Sequence, residues 1–233
     1  MTTAQTRWLR ILAAMGGREG PAPTPLGMCS AGADLLGAGG VGVFVMAKGV
    51  PGATFASNPL AASLEELQFT LGAGPGVDAH TVGIPISECD LDMAMERWPG
   101  FCGLAVAAGS RAAFSFPLRL GAARLGALSV YQLGAGPLDE EVYADALVLA
   151  DVVTRGLLAG HATVPAGSWA VGLGDDGTFD PTVHQASGMV SVQLEVGVGE
   201  ALARLRARAF ADDTPVTTIA ADVIARRLRF EER

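Results

Sequence analysis

Aromatic residues are scarce in this chain: Phe, Tyr and Trp together make up 6% of its 233 residues. Charge is sparse too, at 17% Asp, Glu, Lys and Arg. The hydrophobic half of the sequence is drawn mostly from Ala, Val and Leu, and such a composition excludes global disorder. Long apolar runs are missing. None approaches the roughly 18–20 residues of a membrane-spanning helix, and stretches such as Ala105–Ala108 and Ala146–Ala150 stop at Gly or Asp. Cysteine is limited to Cys29, Cys89 and Cys102, an odd set without a CxxC pair, which points away from a disulfide scaffold or a zinc site. His80, His161 and His184 are isolated from one another, so neither a metal cluster nor a cofactor is implied. The amino terminus, MTTAQTRWLRILAAM, lacks a long hydrophobic region followed by a small-residue cleavage site. It reads as an amphipathic helix over Thr6–Met15. A cytoplasmic, reduced protein without membrane association is the expectation.

What charge there is lies unevenly. Residues 1–181 hold 9 basic against 17 acidic residues, the whole of the net charge of −8. Residues 182–233 balance 7 against 7, and all seven bases are arginine, whose planar guanidinium suits phosphate and base edges better than an ammonium does.

Glycine (31) and proline (13) punctuate the chain. After a breaker segment over residues 16–27, the spacing predicts a helix over Met28–Leu36, a strand over Val41–Lys48 and a second strand over Ala53–Ser57. Asn58-Pro59 opens a helix striped by Leu60, Leu64, Leu67 and Leu71. A turn through Gly76 leads to a short helix, a strand at Ile84–Ile86, and a helical segment from Asp90 to Ala108 broken at Trp98-Pro99-Gly100. The strands Ala112–Leu120 and Arg124–Leu133 meet at Gly121, and the alternation in the first reads as a half-buried hairpin strand. A helix over Leu138–Leu158, with Val142, Ala146, Leu149, Val153 and Leu157 on one stripe, closes an α+β domain.

Residues 159–180 hold five Gly and one Pro and break every periodicity. The division expected is therefore a first domain over 1–160, a linker over 161–180 and a terminal unit over 181–233. That unit divides into three amphipathic helices. Asp180-Pro181 starts the first, striped by Val183, Ala186, Val190 and Leu194. The second carries Val198, Ala201, Leu202, Leu205 and Ala209. Thr214-Pro215 starts the third, with Val216, Ile219, Ala220, Val223, Ile224 and Leu228.

The first domain resembles the GAF family of sensor modules. The resemblance rests on Leu64-Glu-Glu-Leu-Gln-Phe-Thr-Leu-Gly-Ala-Gly-Pro-Gly-Val-Asp-Ala79 and on Phe116-Pro-Leu-Arg-Leu-Gly-Ala-Ala-Arg-Leu-Gly-Ala-Leu-Ser-Val-Tyr131. Related domains put Cys where this chain has Gly76. The terminal unit resembles the ANTAR family of RNA-binding antiterminator modules, through His184-Gln-Ala-Ser-Gly-Met-Val190, Glu200-Ala-Leu-Ala-Arg-Leu-Arg206 and Ile219-Ala-Ala-Asp-Val-Ile224, with Ser187 standing where many members have Lys. The resemblance implies an antiparallel sheet with flanking helices followed by a three-helix domain. It also implies a homodimeric transcription regulator whose sensor answers to a small molecule and whose output binds paired RNA stem-loops in nascent transcripts.

On that resemblance the RNA-binding set is Ala186, Ser187, Gly188 and Met189 of the first helix, Arg204, Arg206 and Arg208 of the second, and Arg226, Arg227 and Arg229 at the end of the third. Arg204 and Arg208 fall on one flank of their helix and Arg206 on the other. The guanidinium groups would neutralise phosphates or stack on unpaired bases, while the small residues admit a base. Ordinary solvated helix faces, with cations completing helix dipoles, and close helix packing at Ala186 and Gly188 account for the same residues. A signalling or dimerisation module without RNA is the alternative.

One GAF branch reduces free methionine sulfoxide with cysteines, which requires a low-pKa nucleophile and a resolving partner. Cys102 lies in an apolar Phe-Cys-Gly-Leu context and no basic residue adjoins Cys89. Inert thiols, and no catalysis, are expected. The residues that would hold a GAF ligand are not identified by spacing.

Overall fold

The structure is a computed structural model, and it describes residues 3–16, 24–47, 50–162, 181–212 and 214–231. Five strands, β1 (Gly40–Ala47), β2 (Val50–Ala56), β3 (Ile86–Glu88), β4 (Ala112–Leu120) and β5 (Ala123–Gln132), form one sheet in the order β2-β1-β5-β4-β3. Every neighbouring pair is antiparallel.

Helices cover both faces. On one face, α1 (Thr3–Ala14), α2 (Pro25–Leu36) and α6 (Glu140–Ala162) pack Ile11, Met28, Leu149 and Val153 against Val41, Val43, Phe114, Phe116, Leu128 and Val130. Arg7 of α1 pairs with Asp145 at 2.7 Å and also with Glu141, tying α1 to α6. On the other face, α3 (Pro59–Leu71), α4 (Pro75–Val82) and α5 (Pro99–Ala107) bring Leu64, Ala79, Phe101 and Ala105 onto Phe44, Ala113, Ala127 and Tyr131.

Local sequence explains two of the helix starts directly. Thr24 Oγ accepts from the Gly27 N–H before α2, and Asn58 Oδ1 accepts from the Ala61 N–H before α3, each followed by a proline that has no N–H to leave unpaired. The Asn58 amide also donates to the Gly39 carbonyl at 2.8 Å, which fixes α3 against the start of β1.

Three expectations are corrected. The strand placed at Ile84–Ile86 lies at Ile86–Glu88, because Pro85 has no N–H and pairing with β4 begins only after it. Residues 91–97 form successive turns closed by bonds such as Met93 N–H to Asp90 O and Arg97 N–H to Ala94 O, and regular helix begins only at Pro99. The strand expected to be half-buried, β4, is buried on both faces over Ala112–Phe116. The second face is lined by the small Ala113 and Ser115, against which α4 packs. The final helix of this part runs to Ala162, into the segment expected as linker; residues 163–180 of that linker and the Asp180 cap lie outside the described residues.

The last part holds α7 (Pro181–Leu194), α8 (Val198–Ala211) and α9 (Val216–Ile224). Val183, Ala186, Val190, Ala201, Leu202, Leu205, Ile219, Ala220 and Val223 are buried in one core between them. The third helix is shorter than its apolar stripe suggests. Arg226 adopts a left-handed φ of 58°, and the Arg227 and Leu228 N–H groups turn back onto the Asp222 carbonyl at 2.8 and 3.1 Å. The chain then returns over α7, where the Phe230 N–H donates to Gln193 Oε1 at 2.9 Å and Leu228 and Phe230 pack on the three-helix core.

Candidate functional site

On the face of the sheet covered by α3 and α4 lies a cavity of about 90 Å³. Phe44 and Met46 of β1 form its floor, Glu65, Gln68 and Phe69 of α3 one side, and Val77, His80 and Thr81 of α4 another; Arg206 of α8 closes it. The apolar residues supply most of the wall, and five polar side chains, Glu65, Gln68, His80, Thr81 and Arg206, interrupt it.

Two of them, Glu65 and Gln68, belong to a buried hydrogen-bond chain. The Gly76 N–H, at the start of α4, donates to Gln68 Oε1 at 2.7 Å. Gln68 Nε2 donates to the Tyr131 hydroxyl at 2.8 Å, and that hydroxyl donates to Glu65 Oε1 at 2.8 Å. Glu65, Gln68 and Tyr131 are each at most 1% exposed, so these bonds replace the water that the groups lose on folding. Gly76 is required by the approach of α4: a Cβ there would stand 2.8 Å from the Phe44 ring and 3.0 Å from Ser129 Oγ. A side chain at this position does not fit unless Phe44 shifts.

Burial pushes the Glu65 carboxyl up to about 7, although bonds from Tyr131 and Ser129 pull the other way. Tyr131 is pushed up by burial and by the neighbouring Glu65. Burial lowers His80, which a bond to the Gly126 carbonyl only partly offsets and nearby Arg124 reinforces, so its imidazole is neutral at pH 7. Burial brings Arg206 down to about 10, which leaves the guanidinium charged at neutral pH.

Arg206 joins the two parts of the chain. Its guanidinium lies 5.5 Å from the centroid of the Phe69 ring, a cation–π contact between α8 and α3. It passes over Gly72, the left-handed residue that ends α3, where a Cβ would come within 2.7 Å of Arg206 Nη1.

The proposed RNA-contact residues divide into three groups. Ala186 and Ser187 are fully buried, and the Ser187 hydroxyl donates to the Val183 carbonyl at 2.7 Å, so both serve helix packing rather than an open surface. Arg206 faces the cavity. Gly188 and Met189 are half-buried on α7, while Arg204, Arg208, Arg226, Arg227 and Arg229 are exposed. Arg204 pairs with Glu200, Arg208 with Asp212 and Arg227 with Asp222, all within the helical unit. The last three arginines sit on the returning tail and not on the helix expected to carry them.

The cavity residues were missed by apolar patterning. A signal was present: Gln68 falls three and four residues from Leu71 and Leu64, so a polar side chain sits on the buried stripe of α3. Among the cysteines, Cys29 and Cys102 are fully buried and burial raises both thiols. The Cys102 Sγ donates to the Ala94 carbonyl at 3.4 Å. No group of three or more His, Cys, Asp or Glu able to hold a metal ion occurs among the described residues. No helix among them is long and apolar enough to cross a membrane.

No protein-family model matches the sequence. No curated protein matches it either. Solved structures do. The GAF domain of an Acinetobacter phosphoenolpyruvate-protein phosphotransferase matches with a TM-score of 0.50 at 12% identity, over 70% of this chain and 97% of that one. The corresponding domain from Coxiella burnetii matches with a TM-score of 0.50 at 17% identity, over 69% and 98%. The free methionine-R-sulfoxide reductase of Neisseria meningitidis matches with a TM-score of 0.50 at 16% identity, over 70% and 95%. Likeness at such identities speaks for architecture alone, and the five-stranded antiparallel sheet with its flanking helices is a GAF-domain fold.

Proposed function

We propose that the chain is a non-enzymatic, cytoplasmic transcription regulator in which a GAF sensor over residues 1–160 controls an ANTAR-like RNA-binding unit over residues 181–233, acting as a homodimer on paired stem-loops of nascent transcripts. The observation that carries the control is Arg206: a side chain of the terminal unit forms a wall of the sensor's cavity. A molecule in that cavity meets both parts, and occupancy therefore has a physical route to the placement of α8. Such a route works only if the ligand favours one arrangement over the other.

Two features support the RNA-binding half of this reading. The residues of the three ordered motifs supply the shared core of α7, α8 and α9, and five arginines are left exposed on that unit. The ion pairs made by Arg204, Arg208 and Arg227 are solvent-exposed and local, and weak enough to exchange for phosphate. Burial of Cys29 and Cys102, with raised thiols, speaks against sulfoxide reduction.

A gel-shift titration of the full chain on a two-hairpin RNA tests the proposal. With about four phosphates neutralised, log affinity falls against log salt with a slope near −3. Arg204→Ala with Arg208→Ala reduces both affinity and slope. Unchanged binding in that variant removes the arginine surface. A dimer that is lost on deleting residues 182–233, with no RNA bound at any salt, replaces RNA binding with assembly as the role of the helices.

A further inference from the structure

Among the described residues, four buried side-chain polar atoms have no hydrogen-bond partner, and three of them, Glu65 Oε2, His80 Nδ1 and Arg206 Nε, belong to residues lining the cavity described above. Unpartnered buried polar groups are costly, and their occurrence on three residues that line the same cavity marks a place where a ligand would supply what the protein does not. Their chemistry is complementary. Arg206 Nε–H is a cationic donor. The other two are a carboxyl oxygen and an imidazole nitrogen, both able to accept from an N–H or O–H of a ligand.

We propose that this cavity binds a small monocarboxylate carrying a hydroxyl or amino group next to the carboxylate, with the carboxylate on Arg206 and the neighbouring donor shared by Glu65 and His80. The inference rests on the sensor half of the proposed function and deepens it by naming the ligand class and the residue through which the terminal unit takes part.

Size and charge narrow the class. The cavity is about 90 Å³, against roughly 150 Å³ for a cavity that accepts the six carbons of benzene, which in proportion leaves room for about four non-hydrogen atoms. Glycolate and glycine are nearest that size, and lactate and alanine add one methyl group. A phosphate would bring a second negative charge to a site with one lining cation and a lining carboxyl. A plain fatty acid would leave Glu65 and His80 without donors. Neutral His80 retains a free lone pair, and a carboxyl near the middle of its titration at pH 7 can meet either a hydroxyl or an ammonium. Phe69 and Val77 keep the remainder of the cavity apolar, in keeping with a short carbon skeleton.

Isothermal titration of the full chain with glycolate, L-lactate, glycine and L-alanine tests this, with acetate and ethylene glycol as controls that lack the donor and the carboxylate respectively. Saturable binding is expected for at least one of the four, at or below about 1 mM, and tenfold or more weaker for both controls. The hydroxy and amino acids together decide which donor is used. Arg206→Met keeps an apolar side chain over Phe69 and removes the charge; it is expected to weaken binding at least tenfold while leaving the circular dichroism spectrum unchanged. Glu65→Gln, which retains an acceptor for Tyr131, is expected to shift preference between the hydroxy and amino ligands. Absence of saturable binding for all four acids, equal binding of acetate, or undiminished affinity in Arg206→Met overturns the inference. Each of these results is independent of the gel shift: RNA binding with no ligand binding removes the ligand class alone, and ligand binding with no RNA binding removes the output alone.

Discussion

Replacing Glu65 by Gln should remove a specific pH dependence of stability. Burial lifts the Glu65 carboxyl from its ordinary 4.5 to about 7 in the folded chain. A carboxyl raised by folding favours the folded state while it is protonated. Its contribution is therefore complete below about pH 4.5 and is lost as pH climbs through about 7. A displacement of that size corresponds to about 3 kcal/mol, at roughly 1.4 kcal/mol for each pH unit. With a urea m-value near 2 kcal/mol/M, the wild-type midpoint should fall by about 1.5 M between pH 4.5 and pH 8.5 relative to Glu65→Gln. His80 acts in the opposite sense. Its lowered pKa means that its contribution is present above its ordinary value of 6.5 and is lost as pH falls, so it cancels in the difference between wild type and variant. Urea unfolding followed by circular dichroism at five pH values measures that difference. Parallel curves for the two proteins would refute the burial argument, and with it the reasoning on the cavity's electrostatics.

Three other outcomes follow from the same geometry. Tyr131→Phe deletes the hydroxyl between Gln68 and Glu65 and should cost about 1–3 kcal/mol of stability, measured by urea unfolding, because two buried groups each lose a partner. Gly76→Ala forces a methyl against Phe44 and Ser129 and should destabilise by about 1–3 kcal/mol, read as a lowered melting temperature. Arg204→Ala and Arg208→Ala should leave the melting temperature where it is, since their ion pairs are exposed and local; under the proposed RNA-binding role each should also lower the steepness of the salt dependence of that binding by about one unit.

Apolar spacing carried most of the architecture. Leu60, Leu64, Leu67 and Leu71 mark α3, Asn58-Pro59 marks its start, and the motif from Phe116 to Tyr131 marks the hairpin at the centre of the sheet. Spacing failed where a backbone detail or a distant neighbour decides the outcome. The end of α9 depends on Arg226 taking a left-handed conformation that an arginine does not announce, and β3 depends on the hydrogen bond that Pro85 cannot make. Burial of both faces of β4 depends on the small side chains Ala113 and Ser115 and on helices from elsewhere in the chain. The cavity was the least legible part, since Phe44, Glu65, His80 and Arg206 come from four elements and have no common spacing. Charge alone placed Arg206 with its neighbours Arg204 and Arg208. Helical geometry put it on the opposite flank, but only the packing of α8 on α3 reveals Phe69 beneath it.

The claim on which the proposed control depends is that α8 closes the cavity beside α3 and α4 through Arg206 on Phe69. A double-mutant cycle on the full chain, with Arg206→Met, Phe69→Leu and the combined variant, measures that contact directly through the stability of the helical unit. A coupling on the order of 1 kcal/mol is expected, as a partly desolvated cation–π pair gives. Additive effects of the two substitutions would contradict it.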